Sequence, residues 1–173
     1  VMSVKDRLQL VELKAVADNY PLRGNMRISE QSFGGSYVSK AVPVPGTVWV
    51  ERRLLHLAQT EIGASISIGA AEFTVDKVLV LEPDRGGDLF NIAPRVMMNE
   101  RDLPRTELIA PGSRVRYALL VAGDAKAIDT YQRGFTAESG ERLISPQNAR
   151  PEIRSALQRA EQYLGLAAFT TVI

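Results

Sequence analysis

The chain has 173 residues, 45% of them apolar, which suffices for one hydrophobic core or for two small lobes sharing one. Its 21 basic and 20 acidic residues leave a formal charge of +1, so no long-range field draws in nucleic acid or an acidic substrate. It has no cysteine and a single histidine, His56, which excludes disulfide staples, thiolate chemistry and a multi-histidine metal site.

The opening residues carry charge at Lys5, Asp6 and Arg7 and have no signal-peptide pattern. Residues 8–16 alternate imperfectly and predict one strand with Leu8, Leu10 and Leu13 facing inward. Residues 18–24 form an ordered turn, with Pro21 restricting Tyr20 and Gly24 free to take a positive φ. A second short strand follows at 25–29. Residues 30–47, rich in Gly, Ser and Pro, read as a loop or hinge.

Val48-Trp49-Val50 predicts a short strand, and residues 51–59 a helix whose apolar side is Leu54, Leu55, Leu57 and Ala58, capped by Gly63. Residues 65–81 alternate on both sides of a glycine turn, which is a hairpin signal, and the arm 73–81 is long enough for a central strand. Residues 82–87 read as a polar turn and Val96-Met97-Met98 as a strand, with Asn99 capping the turn beyond it. After the turn at Pro111-Gly112, residues 114–121 predict a strand. A helix from Asp124 to about Glu138 follows, with Ala127, Ile128, Tyr131 and Phe135 on its apolar side. Leu143-Ile144 predicts a last short strand.

The C-terminal segment reads as a helix from about Ala149, with N-cap candidates at Ser145 and Asn148 and Pro151 tolerated in the first turn. Ile153, Leu157, Ala160 and Leu164 recur at spacings of 4, 3 and 4, forming one apolar stripe. The polar face ends at Tyr163, and residues 164–173 carry no charge on any side. Two readings stand: the start of a membrane span with Tyr163 at the headgroup level, or a buried helix packed on a sheet.

His56 lies between leucines and reads as a partly exposed helix residue. The glycine pairs Gly34-Gly35 and Gly86-Gly87 match neither a phosphate loop nor a dinucleotide turn. Glu82, Asp84 and Asp88 surround Arg85 at a spacing that fits no calcium loop, which reads as a solvated turn or a contact surface. Trp49 and Met97 read as core positions, with a hydrophobic ligand groove as the alternative. No residue is assigned to catalysis, cofactor or metal. The candidate contacts are Asp84, Arg85, Gly86, Gly87, Trp49 and Met97, and the candidate rod residues are Ile153, Leu157, Ala160 and Leu164.

Five segments, in order, bear a resemblance. They are Asp18-Asn19-Tyr20-Pro21-Leu22-Arg23-Gly24, Glu82-Pro83-Asp84-Arg85-Gly86-Gly87, Ala93-Pro94-Arg95-Val96-Met97-Met98-Asn99, Pro111-Gly112-Ser113-Arg114-Val115-Arg116-Tyr117 and Ala149-Arg150-Pro151-Glu152-Ile153-Arg154. Together they resemble the YbbP-like permeases of the MacB/FtsX/LolC superfamily of ABC transporter membrane subunits. The resemblance implies an α+β, MacB-like periplasmic domain between two transmembrane helices. Its β-α-β lobe would comprise residues 1–42 and 111–148, a smaller mainly-β lobe residues 43–110, and a stalk helix entering a transmembrane span residues 149–173.

It implies a parent protein in the inner membrane with this domain in the periplasm, a cytoplasmic ABC ATPase partner that holds ATP, and a second permease copy. It also implies work on hydrophobic compounds and a periplasmic esterase or thioesterase partner. A contrasting expectation is a binding or docking module for a hydrophobic ligand or such a soluble enzyme.

Overall fold

The computed structural model describes residues 2–4, 7–85 and 93–145. It divides into two units, residues 1–122 and 123–173.

The first unit is built on one mixed sheet. Its strands are β1 (Met2–Val4), β2 (Arg7–Gln9), β3 (Glu12–Val16), β4 (Met26–Ser29), β5 (Tyr37–Ser39), β6 (Thr47–Glu51), β7 (Ser65–Ile68), β8 (Ala71–Leu81) and β9 (Arg95–Asn99). They lie in the order β2-β1-β7-β8-β6-β9-β3, with β4 also on β8 and β5 on β4. β6 runs parallel to β8 and β3 parallel to β9, and the remaining pairs are antiparallel. With only short helices beside it, the arrangement is α+β.

Strand alternation sends side chains to two apolar clusters. Val48, Val50, Val75, Val78, Val96 and Met98 join one, under the short helix α1 (Arg52–Leu57), which contributes Leu54 and Leu55. Trp49, Leu79 and Met97 join the other, with Val16, Tyr20, Met26 and Ile28. A bulge in β8 keeps this division. Val48 pairs with Val75 but Trp49 pairs with Lys77, so Asp76 is the extra residue. Without that extra residue, Val75 and Val78 would point to opposite faces; with it they share one core. Asp76 Oδ2 accepts a hydrogen bond from Trp49 Nε1 at 3.1 Å.

The expected hairpin is β7–β8, turning at Gly69 with φ +61°. A Cβ at Gly69 would lie 1.9 Å from the Thr106 carbonyl oxygen, which also accepts from the Ala70 N–H at 2.8 Å. Only glycine lets the hairpin tip seat on that 3₁₀ turn. Asn99 caps the preceding turn as expected, its Oδ1 accepting from the Arg101 N–H at 3.0 Å.

Several expectations are corrected. Residues 8–16 form two strands, not one: β2 pairs with β1 and β3 with β9, at opposite ends of the sheet order. Leu8 and Leu10 consequently face solvent, at 78% and 63% exposure. The helix α1 ends at Leu57, which is exposed, with Ala58 as its C-cap; Gly63 lies beyond it, its N–H donating to Val75 O at 2.7 Å. Residues 114–121 form no strand, and every one of them is exposed; Leu143 and Ile144 are likewise exposed and form no strand. Since β3 joins β9, β6 and β8, the sheet does not divide at residue 43.

In the second unit, α2 (Ala125–Gly134) starts at Asp124, whose Oδ1 accepts from the Ala127 N–H at 2.8 Å. It ends at Gly134, short of the expected Glu138, and none of its residues is buried. Ile153, Leu157, Ala160 and Leu164 lie outside the described residues, as do Gly86 and Gly87. Among the described residues no helix is long and apolar enough to cross a membrane.

Candidate functional site

Strand direction gathers charge at one end of the sheet. β6 and β8 end where the antiparallel β9 and its parallel neighbour β3 begin. Glu51, Glu82, Arg95 and Glu12 therefore meet, although Glu12 and Arg95 are 83 positions apart in sequence: each is a first, last or flanking residue of its strand.

Glu82 is the centre. Its side chain is 1% exposed. The carboxylate accepts a hydrogen bond from Tyr20 OH at 2.9 Å and one from Lys14 Nζ. Its other oxygen lies 3.1 Å from Arg95 Nε, an ion-pair distance without hydrogen-bond alignment. Arg95 Nη1 pairs with Glu12 at 2.9 Å. Lys14 Nζ also donates to Tyr20 OH at 2.9 Å and lies 4.4 Å from the centre of that ring. Burial pushes the Tyr20 hydroxyl far above its ordinary range, and the negative charges of Glu82 and Asp84 add to the effect.

Glu51 is a second centre. It accepts from Arg85 Nη1 at 2.8 Å and from the Arg95 N–H at 3.0 Å, and Arg53 Nε lies 3.0 Å away. Burial alone would raise its pKa. The hydrogen bonds from Arg85 and Arg95 and the charges of Arg85 and Arg53 outweigh it and hold the carboxyl below its ordinary 4.5. A lowered folded-state pKa means stability that is fully present above pH 4.5 and lost as pH falls through the folded value. Urea melts of Glu51→Gln should therefore differ from wild type near neutrality and converge with it below pH 4.5. A difference that stays constant with pH would contradict the ion-paired state of Glu51.

The network joins segments that are distant in sequence. Tyr20 belongs to the 18–24 turn, Glu82 to the turn after β8, and Arg95 to the start of β9. The first two turns also touch directly, since a Cβ on Gly24, at φ +76°, would lie 3.0 Å from Pro83 Cβ. Three of the five segments that carry the family resemblance thus converge on one buried carboxylate. Chemically the arrangement fixes turns in place: its carboxylates are already engaged by cations.

The candidate contacts separate. Asp84 is exposed beside this network, and Arg85 is half-buried and bound to Glu51. Trp49 and Met97 are paired across β6 and β9 and sealed at 1% and 0% exposure, in the core and not on a groove wall. Sequence reasoning read Glu82 as part of a solvated turn and did not single out Lys14, Tyr20 or Arg95. The signal available was their place within or beside the resembling segments.

No family model matches the chain, and no solved structure matches it. Over 170 residues, 97% of its length, it is 28% identical to the uncharacterized ABC transporter permease YbbP of Escherichia coli (strain K12). The chain spans only 20% of that protein's length. The five resembling segments and this match point the same way: the chain is similar, almost from end to end, to one part of a YbbP-like ABC transporter permease.

Proposed function

We propose that the chain is a non-catalytic periplasmic domain of an inner-membrane ABC transporter permease, coupling cytoplasmic ATP hydrolysis to export or extraction of hydrophobic compounds. The observation that carries this reading is the match across 97% of the chain to a permease. The engagement of Glu82 and Glu51 by cations supports a structural role for the main buried charge cluster over a catalytic one. ATP would sit on a partner ATPase subunit, and a second permease copy would complete the assembly.

The proposed transmission element is the MacB-like stalk helix beginning near Ala149. From Ala149 to Tyr163 an α-helix would extend about 22 Å. Its hydrogen-bond ladder resists local bending, so a displacement at the membrane passes along it as in a rod. Ile153, Leu157, Ala160 and Leu164 would pack it against its neighbour. A flexible glycine run inserted near Gln158 in the full-length permease should leave assembly and ATP hydrolysis intact and abolish efflux of a hydrophobic dye. Unchanged efflux would overturn the coupling role.

The alternative is a docking module for a soluble esterase or thioesterase. One observation favours it: Asp84 is exposed on the turn that follows the buried, ion-paired Glu82. A hydrophobic-ligand site at Trp49 and Met97 has no such support, because both are sealed.

A further inference from the structure

In the first unit, β4, its neighbours and α1 leave a face that is both apolar and cationic. Arg27 of β4 stands in register with Leu81 of β8 and with Val38 of β5, so the three side chains form one row on a shared face of the sheet. Ser29, two residues along β4, is paired with Val78, which joins the core under α1. The row therefore lies on the face that α1 partly covers. Its apolar members are open to solvent, Leu81 at 49% and Val38 at 57% exposure. The loop 30–36 links this row to the helix. Arg27 Nη2 donates to Ser36 Oγ at 3.0 Å, and the Ser29 hydroxyl donates to the Gln31 carbonyl at 2.9 Å. The loop so held presents Phe33, 66% exposed, with its ring centre 5.3 Å from that of His56 on α1. Arg52, His56 and the exposed Leu57 share the outer side of that helix, away from the buried Leu54 and Leu55.

The charge of this face has one sign. Among the described residues neither Arg27 nor Arg52 pairs with a carboxylate. The carboxylates next to them in sequence are already engaged: Glu51 by Arg85 and Arg53, and Glu30 by Lys77 and Tyr37. We propose that this face docks on the surface of an anionic phospholipid bilayer, with Phe33 and Leu57 entering the headgroup boundary and Arg27 and Arg52 meeting lipid phosphates. Charge complementarity selects that occupant. A second copy using the same face would set arginine against arginine with no carboxylate between them. A peptide would be read along one strand edge or one groove, whereas these side chains come from a loop, a helix and the ends of strands. A bilayer surface takes scattered aromatic and aliphatic side chains without a matching shape, provided cations stand among them. The proposal does not depend on coupling to ATP hydrolysis.

Co-sedimentation of the 173-residue chain with vesicles tests it. Vesicles of phosphatidylglycerol and phosphatidylcholine in equal parts should bind the chain about tenfold more tightly than phosphatidylcholine alone. Phe33→Ser and Arg52→Gln should each weaken binding to the anionic vesicles about fivefold while leaving the circular dichroism spectrum unchanged. Leu119→Ser, in the exposed run 114–121, should bind as wild type does. No binding to the anionic vesicles, or equal binding to both kinds, would overturn the proposal. Binding that Phe33→Ser and Arg52→Gln leave intact would do the same, because it would assign the lipid contact to another part of the chain, such as the uncharged residues 164–173. No nucleotide or ATPase is present in this measurement, so failure of the coupling role would leave its result standing, and the reverse.

Discussion

Replacing Glu82 with leucine should destabilise the chain by about 3–5 kcal/mol, the usual cost of removing one partner from a buried ion pair. The cost comes from what remains. Arg95, with a side chain 9% exposed, would keep its charge beside an apolar group, and Tyr20 would lose its acceptor. Lys14, 27% exposed, can turn toward water and should contribute less. Tyr20→Phe removes the hydrogen bond that the hydroxyl donates to Glu82 and the one it accepts from Lys14; because Lys14 keeps Glu82 and can turn toward water, the loss should be about 1.5–3 kcal/mol, that of one hydrogen bond to a charged group. Urea denaturation followed by circular dichroism reads both. A Glu82→Leu loss below about 1 kcal/mol would mean that the buried network is not what holds this end of the sheet.

Trp49→Ala should be comparably damaging, at about 3–5 kcal/mol for a large buried aromatic side chain. Trp49 sits on β6 between β8 and β9, so the cavity would open at the centre of the sheet. Trp49→Phe should recover most of the loss. It restores volume but not the indole N–H that Asp76 accepts from, and Asp76 is only partly buried, with Lys77 3.9 Å away. Calorimetric melting separates the two variants. A Trp49→Ala protein with wild-type melting and impaired ligand binding would show that this side chain lines a groove after all.

What could be read from sequence was what depends on near neighbours. The β7–β8 hairpin followed from alternation around Gly69, β9 from Val96-Met97-Met98, and the Asn99 cap from its place before a turn. What could not be read depends on distant partners. The bulge at Asp76 hides within a run that alternates well enough to pass as a regular strand, and only the register against β6 exposes it. The break between β2 and β3 is set by their separate partners β1 and β9, not by residues 10–11. Residues 114–121 show the opposite error, because a strand pattern is local while a strand needs a neighbour.

Glu82 was misread for the same reason. A carboxylate among Pro, Asp, Arg and Gly looks solvated, and its burial depends on Lys14, 68 positions away, and on Arg95. The resemblance placed Tyr20, Glu82 and Arg95 in characteristic segments without giving them a task. The geometry supplies one, a shared buried contact that ties two turns to the end of the sheet.

Placement outside the inner membrane is the claim on which the permease account turns, and the absence of cysteine from this chain makes it measurable. Val44 is 64% exposed, so Val44→Cys in the full-length protein offers a reactive thiol on this domain, with the unsubstituted protein as control. A membrane-impermeant maleimide should label it in cells whose outer membrane is permeabilised and whose inner membrane is intact. Labelling only after the inner membrane is broken would place the domain in the cytoplasm and contradict the account.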